Sequence, residues 1–120
     1  MTVEFGHDPA SPRVARRAIR PLISEPDDPI APAVEAVTSE LVSNVVEHTI
    51  DGGTVRAWDP KPDKPFRLEV ADHDPEEPVS PAHPTDAGGR GLRIVSALAD
   101  DWGVDHDDDG KTVWAEFNRP

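Results

Sequence analysis

Fourteen prolines among 120 residues would mark a chain without a fixed fold if they were evenly spread, but here they cluster between segments of regular apolar periodicity. Proline lacks a backbone donor and breaks helix interiors and central strands, so its placement divides the chain into elements. Ser11-Pro12 reads as an N-cap followed by a proline in the first turn. Val14, Ala18 and Leu22 follow at helical spacing, giving a first helix shortened or kinked near Pro21. Glu25 to Pro32 forms a connection, and a second helix starts between Pro29 and Ala33 and runs to about His48. After the turn Asp51-Gly52-Gly53, Thr54 to Trp58 and Phe66 to Ala71 read as an antiparallel strand pair joined through Asp59-Pro60-Lys61-Pro62-Asp63.

In the second of these strands, strict alternation puts Phe66, Leu68 and Val70 on one apolar face, and the same parity carries Asp72 onto it. An acid aimed inward at a strand end needs a capping N–H or a ligand. Prolines 75, 78, 81 and 84 then forbid regular structure between His73 and Gly88, leaving a long loop of the kind that carries function. Gly88-Gly89-Arg90-Gly91 ends it and opens onto the helical stripe Leu92, Val95, Leu98, Ala99 and Trp102. Trp102-Gly103-Val104 starts a turn or strand, Asp105 to Asp109 with Gly110 forms a hairpin tip, and Lys111 to Phe117 is the last strand.

The length suits one domain over residues 1–120 with a single core. A formal charge of -12 argues against non-specific nucleic-acid binding, and it requires any anionic partner to be held by a local device such as Mg²⁺, backbone N–H groups or a few Arg and Lys. No apolar stretch is long enough to span a bilayer and no signal-peptide pattern opens the chain, so the expectation is a soluble, cytoplasmic protein with no membrane partner. The absence of Cys excludes disulfides, thiol catalysis and Cys-based metal sites.

Chemistry concentrates in two places. Along the second helix, Glu40, Asn44, Glu47 and His48 fall within one arc and Leu41, Val42, Val45 and Val46 within another. Asn is a mediocre helix former with little reason to sit mid-helix, although an amphipathic helix with polar residues outward would show the same spacing. The glycines of Gly88-Gly89-Arg90-Gly91, placed before a helix, allow close backbone approach to an anion at the helix N-terminus. A tight turn needing positive φ would look the same. His48, His73, His83 and His106 lie near carboxylates without a recognised metal-ligand spacing, and the run from Asp105 to Asp109 lacks the periodic ligands of a calcium loop. Neither a Walker loop nor a dinucleotide fingerprint nor a nucleophile elbow is present.

Taken in order, Glu-x-x-x-Asn-x-x-x-His on a helix, Asp at a strand end, a lid-like loop, Gly-Arg-Gly-Leu opening a helix and Gly-Lys-Thr-Val-Trp in the last strand resemble the GHKL ATPases. Within that superfamily, Glu40 to Asn44, Gly89 to Leu92 and Ala97 to Gly103 are most similar to the small anti-sigma factor serine kinases. The resemblance spans residues 11–117. It implies a two-layer α/β (α+β) sandwich of Bergerat type, a mixed sheet with helices packed on one face. It also implies ATP and Mg²⁺. Glu40 would be the catalytic base, Asn44 would hold Mg²⁺ on the phosphates, and His48 would lie near the phosphates or the helix end. Asp72 would accept from the adenine amino group, with Thr112 in the network around it. Gly89, Arg90, Gly91 and Leu92 would form the nucleotide-binding turn. The implied partners are a sigma factor, an anti-anti-sigma-like protein, or both, and the bare sheet face with Trp58 and Trp114 offers a surface for a homodimer or another partner. Those tryptophans could equally fill the core edge.

The pattern departs from the family after Asp72, where glycine two residues on is replaced by the run His73-Asp74-Pro75, which sets bulk and negative charge against the nucleotide. The lid is also short and proline-rich. These departures motivate an alternative on the same fold, a protein-binding module that sequesters its partner without catalysis.

Overall fold

A computed structural model describes residues 1–60, 64–73, 90–107 and 110–119. The elements in chain order are β1 (Thr2–Phe5), α1 (Ser11–Ile19), a 3-10 turn (Arg20–Ile23), α2 (Ala31–His48), β2 (Gly53–Trp58), β3 (Phe66–Asp72), α3 (Arg90–Leu98), β4 (Asp101–Asp107) and β5 (Gly110–Phe117). The loop residues 74–89, with Asp74, Pro75 and His83 among them, and the hairpin-tip residues 108–109 lie outside the described residues.

The strands form a five-stranded sheet in the order β1-β2-β3-β5-β4. Every neighbouring pair is antiparallel, so the sheet is not mixed as the resemblance implied. The reason is topological. β3 and β4 both run opposite to β5 and therefore parallel to each other, with α3 crossing between them. The tight β4–β5 hairpin folds β5 back into the gap, and the parallel strands never become neighbours. β1 was not anticipated. It pairs along β2 from Thr2↔Arg56 to Phe5↔Gly53 and forms one edge.

The helices cover one face of the sheet, and the core lies between the layers. One row of that face is valine in every strand: Val3, Val55, Val70, Val113 and Val104 sit side by side in register. β-branched side chains suit a pleated, half-buried surface, and each fully buried valine contributes on the order of 1.5–3 kcal/mol. Val34, Val37, Leu41, Val42 and Val45 of α2 pack down on the sheet, so the expected apolar arc of this helix is the buried one. Thr38, also fully buried there, donates its hydroxyl to the Val34 carbonyl at 2.7 Å and leaves no polar debt in the core. Phe66 and Phe117 close the far end edge to face, their centroids 6.3 Å apart.

One helical expectation is corrected in phase and another at a single residue. In α1 the buried residues are Ser11, Ala15 and Ile19, while Val14 is 47% exposed. Ser11, Ala15 and Ile19 recur every four residues and so share the inward face, and Val14 lies off it. Ser11 is the first helical residue rather than the cap; its hydroxyl donates to the Gly6 carbonyl at 2.9 Å. As expected, regular helix gives way at Pro21, here to the 3-10 turn. In α3 the expected stripe does face the core through Leu92, Val95 and, just past the helix, Ala99; only Leu98 departs, 41% exposed, and Trp102, also packed on the core, already belongs to β4.

A clasp ties the far end. Arg119 donates to both oxygens of Asp28 at 2.7 and 2.8 Å and to Asp59 at 2.8 Å. It joins the chain beyond β5 to the connection before α2 and to the end of β2. On the sheet face away from the helices, Arg67 lies 4.6 Å from the Trp114 ring centroid and pairs with Glu69 and Glu116. Trp58 stands on the same face.

Candidate functional site

The antiparallel connections bring four chain segments to one end of the sandwich. β3 finishes at Asp72 directly opposite Gly53, where β2 begins. The last turn of α2 is at the same end, because only four residues separate His48 from Gly53. β5 starts there too, with Gly110 against Asp72. α3 leads into β4, which starts at the other end opposite Glu116. The nine residues of α3 span about 13 Å at 1.5 Å per residue.

Glu40 and Asn44 are both half-buried, one helical turn apart on α2 and beside its buried stripe of Leu41, Val42 and Val45. Glu47 and His48 are exposed in the last turn. The arc anticipated for the four polar residues therefore divides. The first two are partly withdrawn from solvent, and the last two mark the helix end. Thr49 terminates the helix, its backbone N–H and its hydroxyl both donating to the Val45 carbonyl at 2.9 Å.

Asp72 is 3% exposed, in keeping with its parity in β3. Its Oδ1 accepts from the backbone N–H of Lys111 at 3.3 Å, and its Oδ2 lies 3.7 Å from the Lys111 ammonium. The next residue, His73, is exposed on the opposite side of the strand, where its Nε2 lies 3.0 Å from the Thr54 hydroxyl.

Thr112 is not brought together with Asp72. It pairs with Ala71, in the row that also holds Thr54, on the sheet face away from the helices. The neighbour on the face of Asp72 is Lys111, which sequence reasoning passed over. The signal was available: Val113, Ala115 and Phe117 alternate inward, and the same parity takes Lys111 inward and Thr112 outward. Of the glycine turn, Gly89 lies outside the described residues, whereas Arg90 and Gly91 are the first two residues of α3. Leu92 is half-buried against the core.

The donor set suits one kind of cation. Among the described residues no group of three or more His, Cys, Asp or Glu could hold a metal by itself. A carboxamide oxygen such as that of Asn44 is a hard ligand, and Mg²⁺ typically takes one or two protein oxygens and completes its shell with phosphates and water. The residues fit Mg²⁺ arriving with a phosphate ligand. No helix among the described residues is long and apolar enough to cross a membrane.

Residues 5–117 match the family model of the histidine kinase-like ATPase domain. An uncharacterized protein of Streptomyces coelicolor, SCO4941, is 36% identical over 83 residues, covering 65% of this chain and 78% of that protein. Among solved structures, the RsbU and RsbW domains of Rv1364c from Mycobacterium tuberculosis align with a TM-score of 0.72 at 20% identity. That alignment covers 100% of this chain and 33% of the other, so the likeness is one of fold, and this chain spans about a third of that protein.

Proposed function

Because this chain belongs to the histidine kinase-like ATPase family, we propose that it is an ATP-binding regulatory protein that holds Mg-ATP and phosphorylates a serine or threonine of a small regulatory partner. What supports the reading is the buried carboxylate of Asp72 at the end of the sandwich where α2, which carries Glu40 and Asn44 one turn apart, also finishes. In this reading Asp72 accepts a hydrogen bond from the base, and the α3 N-terminus receives the phosphates through its backbone N–H groups. Asn44 would hold Mg²⁺, which would supply neutralisation of phosphate charge. His48, in the last turn of α2, would lie near the phosphates.

Glu40 is the base. It takes the proton from the partner's hydroxyl while that oxygen bonds to the γ-phosphorus. The bond from the γ-phosphorus to the bridging oxygen breaks, leaving ADP and a phosphorylated partner. A half-buried carboxylate one turn from the metal ligand is suitably placed for that role. The partner class that best suits this reading is an anti-anti-sigma-like protein, with a sigma factor as the regulated target, and the cytoplasm is the matching compartment.

Calorimetric titration of the purified chain with ATP in the presence and absence of Mg²⁺ tests the reading. Mg-dependent binding is expected, and its absence from folded protein rejects the proposal. With a partner in hand, labelled phosphate should appear on it and should disappear with Glu40→Ala. Capture of the partner without any transfer would instead mark a sequestering module on the same fold.

A further inference from the structure

Lys111 puts a cation at the position where, in the reading above, a nucleotide base meets the protein. Its side chain, 23% exposed, reaches inward to a carboxylate that is itself 1% exposed. The Asp72 carboxylate is oriented through Oδ1 by the Lys111 backbone N–H at 3.3 Å, and the Lys111 ammonium stands 3.7 Å from Oδ2. A hydrogen-bond acceptor and a donor are thus side by side at one point of the site.

We propose that Lys111 is a specificity-determining residue that, together with Asp72, makes the base end of the site accept guanine as well as adenine nucleotides. The inference rests on the reading of Asp72 as the base-contacting residue.

The chemistry follows from the two base edges. Adenine presents an amino hydrogen at C6 and a lone pair at N1. Guanine presents a lone pair at O6 and hydrogens on N1 and on the C2 amino group. A carboxylate alone accepts from the adenine amino group and opposes the guanine O6, because two sets of lone pairs then face each other in a desolvated place. Sites that leave buried polar groups unpaired reject the wrong ligand strongly.

An ammonium beside the carboxylate removes that conflict. It donates to O6 while Asp72 accepts from the guanine N1–H and amino group; with adenine it donates to N1 while Asp72 accepts from the C6 amino group. Lysine suits the double task because it carries three donors on a flexible stem, so one ammonium can serve Asp72 and a base together.

The test is a set of calorimetric titrations of the full chain with Mg-ATP and Mg-GTP, for the native protein, Lys111→Met and Lys111→Arg, each verified as folded by a circular-dichroism melt. If Lys111→Met does not fold, Lys111→Ala takes its place. The native protein should bind the two nucleotides with Kd values within about tenfold of each other. Loss of the cation should raise the ratio of the GTP Kd to the ATP Kd by at least about tenfold, and Lys111→Arg, which keeps a donor, should hold it near the native value. Native discrimination greater than tenfold, a smaller rise on losing the cation, or an Arg variant as selective as the Met variant overturns the inference while ATP binding stands. Binding of neither nucleotide by the native protein overturns both this inference and the functional reading beneath it.

Discussion

Gly110 lies so close against Asp72 that a Cβ added there would stand 2.3 Å from the Asp72 carbonyl oxygen and 2.8 Å from its Oδ1. The hairpin from β4 delivers β5 to the sheet at this residue, with φ at +145°, a conformation in which only glycine is unstrained. Glycine here lets the last strand reach the end of β3, and it brings Lys111 to the carboxylate.

Gly110→Ala should therefore damage both stability and the site. Backbone strain of this kind costs about 1–3 kcal/mol, and the clash is with main chain that cannot step aside. Urea denaturation should show a loss of about 2 kcal/mol or more, and nucleotide affinity should fall along with it. A variant as stable as the native chain would show that the strand start relaxes freely.

Asn44→Leu separates metal binding from folding. Asn44 is half-buried beside an apolar stripe, so leucine, a better helix former, should leave stability within about 1 kcal/mol of native. The Mg²⁺ dependence of nucleotide binding should vanish. Titrations with and without Mg²⁺ check this, and a preserved metal effect would remove Asn44 from the site.

Glu40→Gln should affect transfer more than binding. The amide keeps the size of the side chain and loses its basicity, so phosphate transfer to a partner should fall by about 10²–10⁴. Nucleotide affinity measured on the same preparation should change by less than about threefold. Equal losses in both would mean that Glu40 binds rather than acts as a base.

Arg119→Met opens the clasp at the opposite end. The Asp28 and Asp59 side chains are 1% and 7% exposed, and removing the guanidinium takes a buried cation away from both carboxylates. The expected loss is about 3 kcal/mol by denaturation, with nucleotide binding by the remaining folded protein unchanged. Hydrogen bonding to Asp59, against the opposing cost of desolvation, and hydrogen bonding to Asp28 raise the Arg119 pKa above its ordinary value. A base with a raised folded-state pKa stabilises fully below its unfolded pKa and loses that contribution only as pH rises through the folded value. The stability gap between native and variant should accordingly stay constant from about pH 7 to 10.

Much of this end of the molecule was legible in the chain. Period-two alternation in Phe66, Leu68, Val70 and Asp72 foretold an inward acid, and Asp72 is buried. The apolar arc of α2 was correct in phase because Leu41, Val42 and Val45 are strong apolar residues with polar neighbours on the other side. In α1, one small and one larger apolar residue offered two phases, and packing against α2 chose Ala15 over Val14. β1 is only four residues long and takes its register wholly from β2, some fifty positions away in the chain, so local pattern says little about it.

By itself the sequence determined the kinds of element, where proline and glycine interrupt them, and which side of each strong strand or helix avoids water. These are local consequences of backbone geometry and hydrophobicity, written within a few residues of where they act. Only the tertiary structure decided neighbours. The insertion of β5 between β3 and β4 made the sheet wholly antiparallel and set Lys111 beside Asp72. Strand order and register arise from contacts between distant segments, and a one-residue difference in register exchanges the two faces of a strand.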